Sequence, residues 1–250
     1  MRIRVGHLYP EYLNIYADRG NIAVLTRRAA LRGHELAISA IGIGDELAPG
    51  AYDLLYIGGG QDREQALIAS DVAARADVLQ QAQARGVAML AVCGGYQLLG
   101  RGYRGRDGSL MPGAGLFAHE TVAGETRMIG DVLLETELQP GRRRAIAGFE
   151  NHAGRTLLDP GAEPLGRVVH GFGNDGASGY EGSRLGRVIG TYLHGPLLPR
   201  NPWLADWLLA QALAHATGSD PPELAPLDDE LESEAFRVAA DRARRRGGKR

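Results

Sequence analysis

The sequence is poor in cysteine: one thiol, Cys93, occurs among 250 residues. A single cysteine cannot form a disulfide within its own chain, and it excludes metal sites built from several cysteine ligands. This usage is typical of proteins from a reducing compartment, and we expect no bound metal. Any special role of Cys93 must therefore be that of a free thiol.

Long apolar runs are also missing. No window approaches the roughly 20 apolar residues that a membrane-spanning helix needs. The amino-terminal segment MRIRVGHLYP lacks the apolar stretch of a signal peptide. The formal net charge is only −2, which does not favour binding to nucleic acids or to charged membrane surfaces. We expect a cytosolic protein.

Glycine, in contrast, is abundant, with 36 residues in the chain. The usual share is about 7%. Such usage indicates many tight loops, beside which the polar atoms of a ligand could meet backbone N–H groups.

The amino-terminal part alternates between short apolar segments and segments with helical spacing. The predicted strands lie at 2–9, 34–41, 52–60 and 85–92, and the predicted helices at 20–32 and 64–85. This alternation is typical of a parallel sheet with helices on both faces. In such sheets ligands bind beyond the carboxyl ends of the strands, where the glycines at 58–60 and Cys93 would both lie.

The later part of the chain changes character. From about 105 to 190, short β-like segments separated by glycine and polar turns predict an antiparallel or mixed extension with long loops. Residues 202–218 have strong helical spacing. Residues 219–250 are rich in proline, then acidic, then basic. We therefore divide the chain into a domain at 1–218 and a charged extension at 219–250, with one amphipathic helix and a disordered tail.

Cys93 lies at a predicted turn between a strand and a helix, in the stretch AVCGGYQLLG. A free cysteine usually packs as a small apolar group. At a sharp strand-to-helix turn, however, the thiol is exposed for reaction, and the N terminus of the helix favours a negatively charged sulfur. Gly94 would let an N–H group point at a developing oxyanion, and the glycines at 58–60 could supply a second donor.

A thiol nucleophile also needs a base, and His194 is the candidate. It ends the apolar segment VIGTYLHGP and is followed by Gly-Pro, so it would lie at the same mouth of the sheet. Such pairs meet in space rather than in sequence. The spacing of Cys93 and His194 in the sequence does not by itself establish that they act as nucleophile and base.

Three motifs taken together, IGGGQD, VCGGYQLLG and GTYLHGPLLPRNP, resemble those of class I glutamine amidotransferases of the cobyric acid synthase type. The segments LYPEYLNIYADRGNI and FENHAGRT narrow the resemblance to the glutaminase subunits of lipid II isoglutaminyl synthases. The resemblance covers roughly residues 3–210. It implies an α/β, flavodoxin-like fold, with a three-layer arrangement of a parallel or mixed central sheet flanked by helices.

The resemblance implies an enzyme that hydrolyses glutamine and releases ammonia for a second active site. Cys93 would attack the side-chain amide of glutamine, and His194 would protonate the leaving ammonia and later activate the water that cleaves the thioester. The N–H of Gly94 and one from the Gly59–Gly60 turn would form the oxyanion hole.

Two further residues receive roles from the resemblance. Gln97 would contact bound glutamine, and Arg127 would hold its α-carboxylate, a task suited to a planar guanidinium. Many class I members carry a glutamate two residues after the histidine, but this chain has Pro196 there. Glu150 is a local candidate to orient His194, and a carboxylate donated by a partner subunit is the other.

Some motif residues have an equally simple structural interpretation. Asp18, Arg19 and Asn21 either belong to a partner interface or the ammonia route, or cap the helix that follows them. Asn151 and His152 either bind substrate or guide ammonia, or they hold a turn.

The chain lacks the phosphate-binding motif GxxxxGK[ST], although amidation of a carboxylate requires ATP. We expect no cofactor in this chain and ATP on a Mur-ligase-like partner, MurT, which would amidate the D-glutamate α-carboxyl of lipid II to D-isoglutamine in peptidoglycan synthesis. Because lipid II is membrane-anchored, the complex could act at the inner face of the membrane. The alternatives are an amidotransferase subunit for a cobalamin-type or other biosynthetic synthetase, and a non-catalytic binding module of the same fold.

Overall fold

The computed structural model describes residues 1–15 and 19–247, so Asp18 lies outside the described residues. Its central sheet has six strands: β1 (Arg2–Leu8), β2 (Glu35–Ile41), β3 (Leu54–Ile57), β4 (Ala88–Val92), β11 (Ser183–Leu185) and β12 (Val188–Thr191). They are arranged in the order β11-β12-β4-β3-β1-β2. All neighbours are parallel except β11, which is antiparallel to β12.

Six α-helices accompany the sheets in the described part of the chain: α1 (Arg19–Ala30), α2 (Asp62–Ala74), α3 (Ala76–Ala84), α4 (Gly94–Leu99), α5 (Pro202–Thr217) and α6 (Glu230–Gly247). The connections from β1 to β2 and from β3 to β4 run in opposite directions along the sheet. Because such crossovers are right-handed, α1 lies on one face of the sheet and α2 and α3 on the other. No described helix combines the length and the apolar character that a membrane crossing requires.

The single helix predicted at 64–85 is divided in two at Arg75, which leaves helical geometry with φ −89° and ψ 6°. Its guanidinium donates hydrogen bonds to Asp71 and to the carbonyl of Gly42. These bonds anchor the break between α2 and α3 to the loop after β2.

A second sheet is built around a long hairpin of β7 (His119–Gln139) and β8 (Arg142–Leu158). The shorter strands are β5 (Gly102–Arg104), β6 (Leu110–Pro112), β9 (Gly166–His170) and β10 (Tyr180–Glu181). Their order is β10-β9-β7-β5-β6, with β8 paired to β7. This is the mixed extension that the sequence predicts. The segment GRVIGTYLHG is an exception, because its strand β12 is buried beside β4 in the central sheet.

The C-terminal extension is held against the domain. The buried alanines Ala239, Ala240 and Ala243 of α6 pack on Leu133 and Ala147 of the long hairpin. At the start of the extension, Asp229 pairs with the buried guanidinium of Arg28, which also binds Asp206 of α5. These contacts hold the extension against the domain as far as α6. For this extension the sequence predicts one helix and a disordered tail. Residues 248–250 lie outside the described part.

Candidate active site

Cys93 occupies a strained turn between β4 and α4. Its backbone has φ 47° and ψ −105°, a conformation rarely adopted by a residue with a side chain. The N–H of Cys93 donates to the carbonyl of Thr191 at 2.7 Å, and the N–H of Gln97 donates to the carbonyl of Cys93 at 2.9 Å. Bonds from both sides therefore hold the turn, as expected for a nucleophile at a strand-to-helix junction.

The two glycine turns lie in contact. A Cβ atom on Gly94 would come within 3.0 Å of the backbone nitrogen of Gly60, and one on Gly60 would come within 2.4 Å of Leu13 Cδ2. The N–H of Gly95 donates to the carbonyl of Gly58 at 3.1 Å, and the carbonyl of Gly59 accepts from Ile15. The structure thus brings together the two turns that carry the predicted oxyanion donors, and a side chain at Gly94 or Gly60 would crowd this contact.

A cavity of about 690 Å³ opens over this turn. One wall comes from the parallel sheet and its helices, with Gly60, Gln65, Cys93 and Gln97. The opposite wall comes from the long hairpin and contains Arg127, Ile129, Asn151 and His152. A volume of this size is typical of small-molecule sites. The cavity therefore brings Cys93, Gln97 and Arg127, residues far apart in the chain, around one space.

Arg127 is exposed on β7 and is anchored across the hairpin. Its Nε donates to Asn151 Oδ1 at 2.9 Å, and its Nη2 donates to the carbonyl of Asn151 at 3.1 Å. A guanidinium carries five N–H groups, and these bonds occupy two of them. Arg127 is thus oriented and retains N–H groups that could bind an anion at the cavity wall.

Gln97 is fixed by a buried aromatic group. Its Nε2 donates to Tyr192 Oη at 3.0 Å, and Thr156 Oγ1 lies 2.7 Å from the same oxygen. The His152 ring stacks on the Tyr192 ring, with 3.5 Å between their centroids. Burial raises the pKa of Tyr192 far above its ordinary value, so the phenol stays neutral. Tyr192 therefore links Gln97 and His152 at the cavity wall.

His194 is fully buried beyond the end of β12. Its N–H donates to the carbonyl of Phe149 at 2.8 Å, and the N–H of Phe149 donates back at 3.3 Å. His194 lies three residues after Thr191, whose carbonyl accepts the N–H of Cys93. This arrangement brings the backbone of the candidate base to the same end of the sheet as the thiol, and ties it to β8.

Two buried carboxylates lie near the backbone of this histidine: Glu150 follows Phe149, its backbone partner, and Glu181 binds Thr191 and Tyr192. Glu150 accepts the N–H groups of Phe172 at 2.7 Å and Gly173 at 2.9 Å, and it lies 3.6 Å from His152 Nε2. Glu181 accepts Thr191 Oγ1 at 3.0 Å and the N–H of Tyr192 at 2.6 Å.

Burial raises the pKa of Glu181 to about 8, against the opposing effect of those two donors. The negative charge of Glu150 adds to the increase, and His194 opposes it. The structure thus adds a carboxyl that the sequence did not identify, and His194 influences its pKa.

We expect the variant Glu181→Gln to gain stability relative to the wild type as the pH rises. The pKa of Glu181 is raised on folding, so the protonated form is favoured in the folded chain. That stabilisation is complete below the unfolded pKa and is lost as the pH rises through about 8. Glutamine is neutral throughout. Urea unfolding at about pH 5 and at about pH 9 gives the free energy of unfolding of both proteins. Between these pH values, the difference between them should change in favour of the variant by on the order of 1 kcal/mol or more. A difference independent of pH would contradict this assignment.

Sequence reasoning also missed Gln65, although the sequence contains a signal for it. Gln65 is buried on the inner face of α2 together with Ile68, Ala69 and Val72. A polar residue in an apolar stripe with helical spacing needs a partner inside the protein. No comparable pattern marks Glu181, which stands between a tyrosine and a glycine in a loop-rich region.

The chain is similar in sequence to known proteins. Residues 4–202 match the CobB/CobQ-like glutamine amidotransferase domain. The chain is 37% identical over 243 residues to the GatD subunit of the glutamine-hydrolysing lipid II isoglutaminyl synthase of Staphylococcus aureus (strain N315), with 97% of each chain covered. It is 37% identical over 220 residues to the corresponding subunit of Streptococcus pneumoniae (strain ATCC BAA-255 / R6), covering 88% of this chain and 84% of that one.

A solved structure of PurLQS from Thermotoga maritima has a similar fold. The TM-score is 0.58 at 18% sequence identity, and the match covers 86% of this chain and 100% of that one. The predicted fold class, a mixed central sheet flanked by helices in a flavodoxin-like arrangement, is confirmed, as is the family resemblance predicted from the motifs.

Proposed function

The chain belongs to the family of CobB/CobQ-like glutamine amidotransferase domains, and we propose that it is the glutaminase subunit of a lipid II isoglutaminyl synthase. One observation carries the chemistry: a strained cysteine turn in contact with a glycine turn, at the wall of a cavity that an anchored arginine faces. The acceptor is proposed from the two GatD relatives, whose similarity extends over most of the chain.

The proposed reaction begins when His194 takes the proton of the Cys93 thiol and Cys93 Sγ bonds to the side-chain carbonyl carbon of glutamine. The carbonyl oxygen becomes an oxyanion, which the N–H groups of Gly94 and of the Gly59–Gly60 turn stabilise, each by a few kcal/mol. The carbon–nitrogen bond then breaks, and ammonia leaves with a proton from His194. A water molecule activated by His194 cleaves the thioester and releases glutamate.

We assign the remaining residues of the cavity to substrate binding. Arg127 would hold the α-carboxylate of glutamine with N–H groups that its bonds to Asn151 do not use. Gln97 would contact the substrate from the opposite wall. For the group that orients His194, Glu150 and a carboxylate of the partner subunit stay our two candidates.

The variant Arg127→Lys should raise KM for glutamine by about tenfold to a hundredfold and change kcat much less. The α-carboxylate is remote from the bond that breaks, so a weaker clamp loses binding that the ground state and the transition state share. Steady-state glutamate release measures both constants. The matched control is Arg155→Lys in the same hairpin, whose guanidinium binds the carbonyls of Ala153 and Thr126. A fall in kcat with KM unchanged would contradict the assignment.

We infer that the released ammonia is used by a Mur-ligase-like partner, MurT, which binds ATP and the acceptor. The acceptor would be the D-glutamate α-carboxyl of lipid II, which becomes D-isoglutamine. The chain itself would carry no cofactor, since the sequence has no phosphate-binding loop and the glutaminase chemistry needs none. The complex would work in the cytoplasm, at the inner face of the membrane, where lipid II is available.

This function is tested with the complex of the chain and its partner, supplied with ATP, lipid II and glutamine labelled with ¹⁵N in the side-chain amide. We expect the label in the amide of the product. With Cys93→Ala the complex should lose this reaction, yet still amidate lipid II from added ammonium. Amidation of a different acceptor, such as a cobalamin precursor, would refute the proposed substrate while leaving the glutaminase chemistry intact.

A further inference from the structure

Glu181 contacts the segment that joins β12 to His194. It lies at the end of β10 and is 0% exposed. Its Oε1 accepts the N–H of Tyr192 at 2.6 Å, and each of its two oxygens lies 3.0 Å from Thr191 Oγ1. Burial of a carboxyl group is costly unless its oxygens are hydrogen-bonded. Here the bonds go to two consecutive residues of one segment.

This segment has left the central sheet. β12 ends at Thr191, three residues before His194. The N–H of Tyr192 then binds Glu181, and the N–H of Leu193 binds Thr191 Oγ1 at 3.0 Å. Buried backbone N–H groups need partners, and in this segment strand pairing does not supply them. The carboxyl of Glu181 and the hydroxyl that it contacts therefore hold the backbone between the sheet and the candidate base.

The same segment also holds the nucleophile. The carbonyl of Thr191 accepts the N–H of Cys93 at 2.7 Å, and Tyr192 Oη accepts Gln97 Nε2 at 3.0 Å. A shift of residues 191–193 would therefore change the position of His194 relative to the Cys93 turn. A displacement of about 1 Å between reacting groups can lower a rate about a hundredfold.

We propose that Glu181 is a positioning residue that fixes His194 relative to Cys93 by holding Thr191 and Tyr192, an inference that rests on the proposed glutaminase function. Its side chain is fully buried and both oxygens face that segment, so its effect on the reaction passes through these two residues. Positioning of this kind needs an oxygen acceptor at this place, but neither a negative charge nor a transferable proton. Glutamine should therefore replace Glu181, and a side chain without an oxygen should not.

The test measures glutamate release from L-glutamine by the full chain, with kcat referred to the folded fraction. Glu181→Met, which has a similar length but no oxygen, should lower kcat by about tenfold to a hundredfold. KM should stay within about threefold of wild type, because Arg127 on the hairpin wall still binds the substrate. Glu181→Gln keeps an oxygen for the N–H of Tyr192 and should retain kcat within about threefold.

Two results would overturn the proposal. A wild-type kcat in Glu181→Met would leave the carboxyl with a role in stability alone. A loss in Glu181→Gln as large as that in Glu181→Met would mean that the reaction uses the charge or the proton of Glu181. If the wild type releases no glutamate, the proposed glutaminase function itself fails.

The matched control is Asp53→Asn. Asp53 is an equally buried carboxyl, but it binds Arg4 and His215 and precedes β3, at the end of the sheet away from the site. This variant should lower the free energy of unfolding and leave kcat of the folded chain at the wild-type value. A matching fall of kcat in Asp53→Asn would show that the loss in Glu181→Met reflects lowered stability, and would overturn the proposal.

A second measurement does not depend on folding of Glu181→Met. Thr191→Val keeps the shape of the side chain but removes the hydroxyl, and Thr191→Ser keeps the hydroxyl. We expect Thr191→Val to lower kcat about tenfold, and Thr191→Ser to stay within about threefold of wild type. Equal values of kcat for the two variants would overturn the proposal.

The double variant Glu181→Met with Thr191→Val tests whether the two residues act together. Both substitutions break the same link, so the double variant should lose little more activity than the more impaired single variant. Losses that multiply would mean that Glu181 does not act through Thr191, and would contradict the proposal.

Discussion

Replacement of Cys93 by alanine should abolish the release of glutamate from glutamine, with kcat reduced on the order of 10⁴-fold or more. The thiol is the one nucleophile that the turn between β4 and α4 presents to the cavity. Without it the reaction would need direct attack by water. The oxyanion donors and the substrate contacts would remain, so the residual rate should still exceed the rate in solution.

The measurement is steady-state glutamate release by the full chain, alone and with its partner, for wild type and variant. Activity of Cys93→Ala within about tenfold of wild type would refute covalent catalysis at this residue. The thermal unfolding temperature serves as a check that the variant is folded.

A second substitution at the same site separates catalysis from strain. The φ angle of 47° at Cys93 carries a cost that glycine would not have. We therefore expect Cys93→Gly to be inactive but more stable than Cys93→Ala, by about 1 kcal/mol. Urea unfolding of the two variants measures the difference. If Cys93→Gly were the less stable of the two, the backbone at this turn would not be strained.

The second large effect is expected for His194. His194→Gln should lower kcat/KM for glutamine by about 10² to 10⁴, because the leaving ammonia loses its proton donor and the attacking water loses its base. The side chain is buried and the backbone is tied to Phe149. Glutamine keeps a polar group of similar size there, which makes it the conservative choice.

The control for this prediction is His170→Gln, a half-buried histidine on β9 of the second sheet. It should retain wild-type activity and stability. If His194→Gln stayed within about threefold of wild type, another group would have to serve as the base, and Glu181 would be the next residue to replace.

The local features of this site could be read from the sequence because they depend on neighbours in the chain. Cys93 and Gly94 follow a short apolar run, and Gly59 and Gly60 end another. Both turns lie where parallel strands end, and the order of β3 and β4 in the sheet brings them together. That juxtaposition follows from the rules of α/β folds.

Other features depend on contacts that the sequence pattern does not encode. The pairing of β12 with β4 joins segments that lie far apart in the chain, and apolar alternation does not reveal which strands become neighbours. Glu181 binds Thr191 and Tyr192 only because β10 brings it to the segment that follows β12. The break at Arg75 likewise depends on a bond to Gly42, which no helix propensity records.

The most direct test of the central claim is covalent labelling of the full chain, with and without its partner, by a glutamine analogue with an electrophilic carbon, 6-diazo-5-oxo-L-norleucine. Peptide mass spectrometry should locate one adduct, on Cys93, and L-glutamine should protect against it while D-glutamine does not. A chain that forms no adduct at Cys93, or one that forms equally fast in the presence of L-glutamine, would contradict a glutaminase site at this turn.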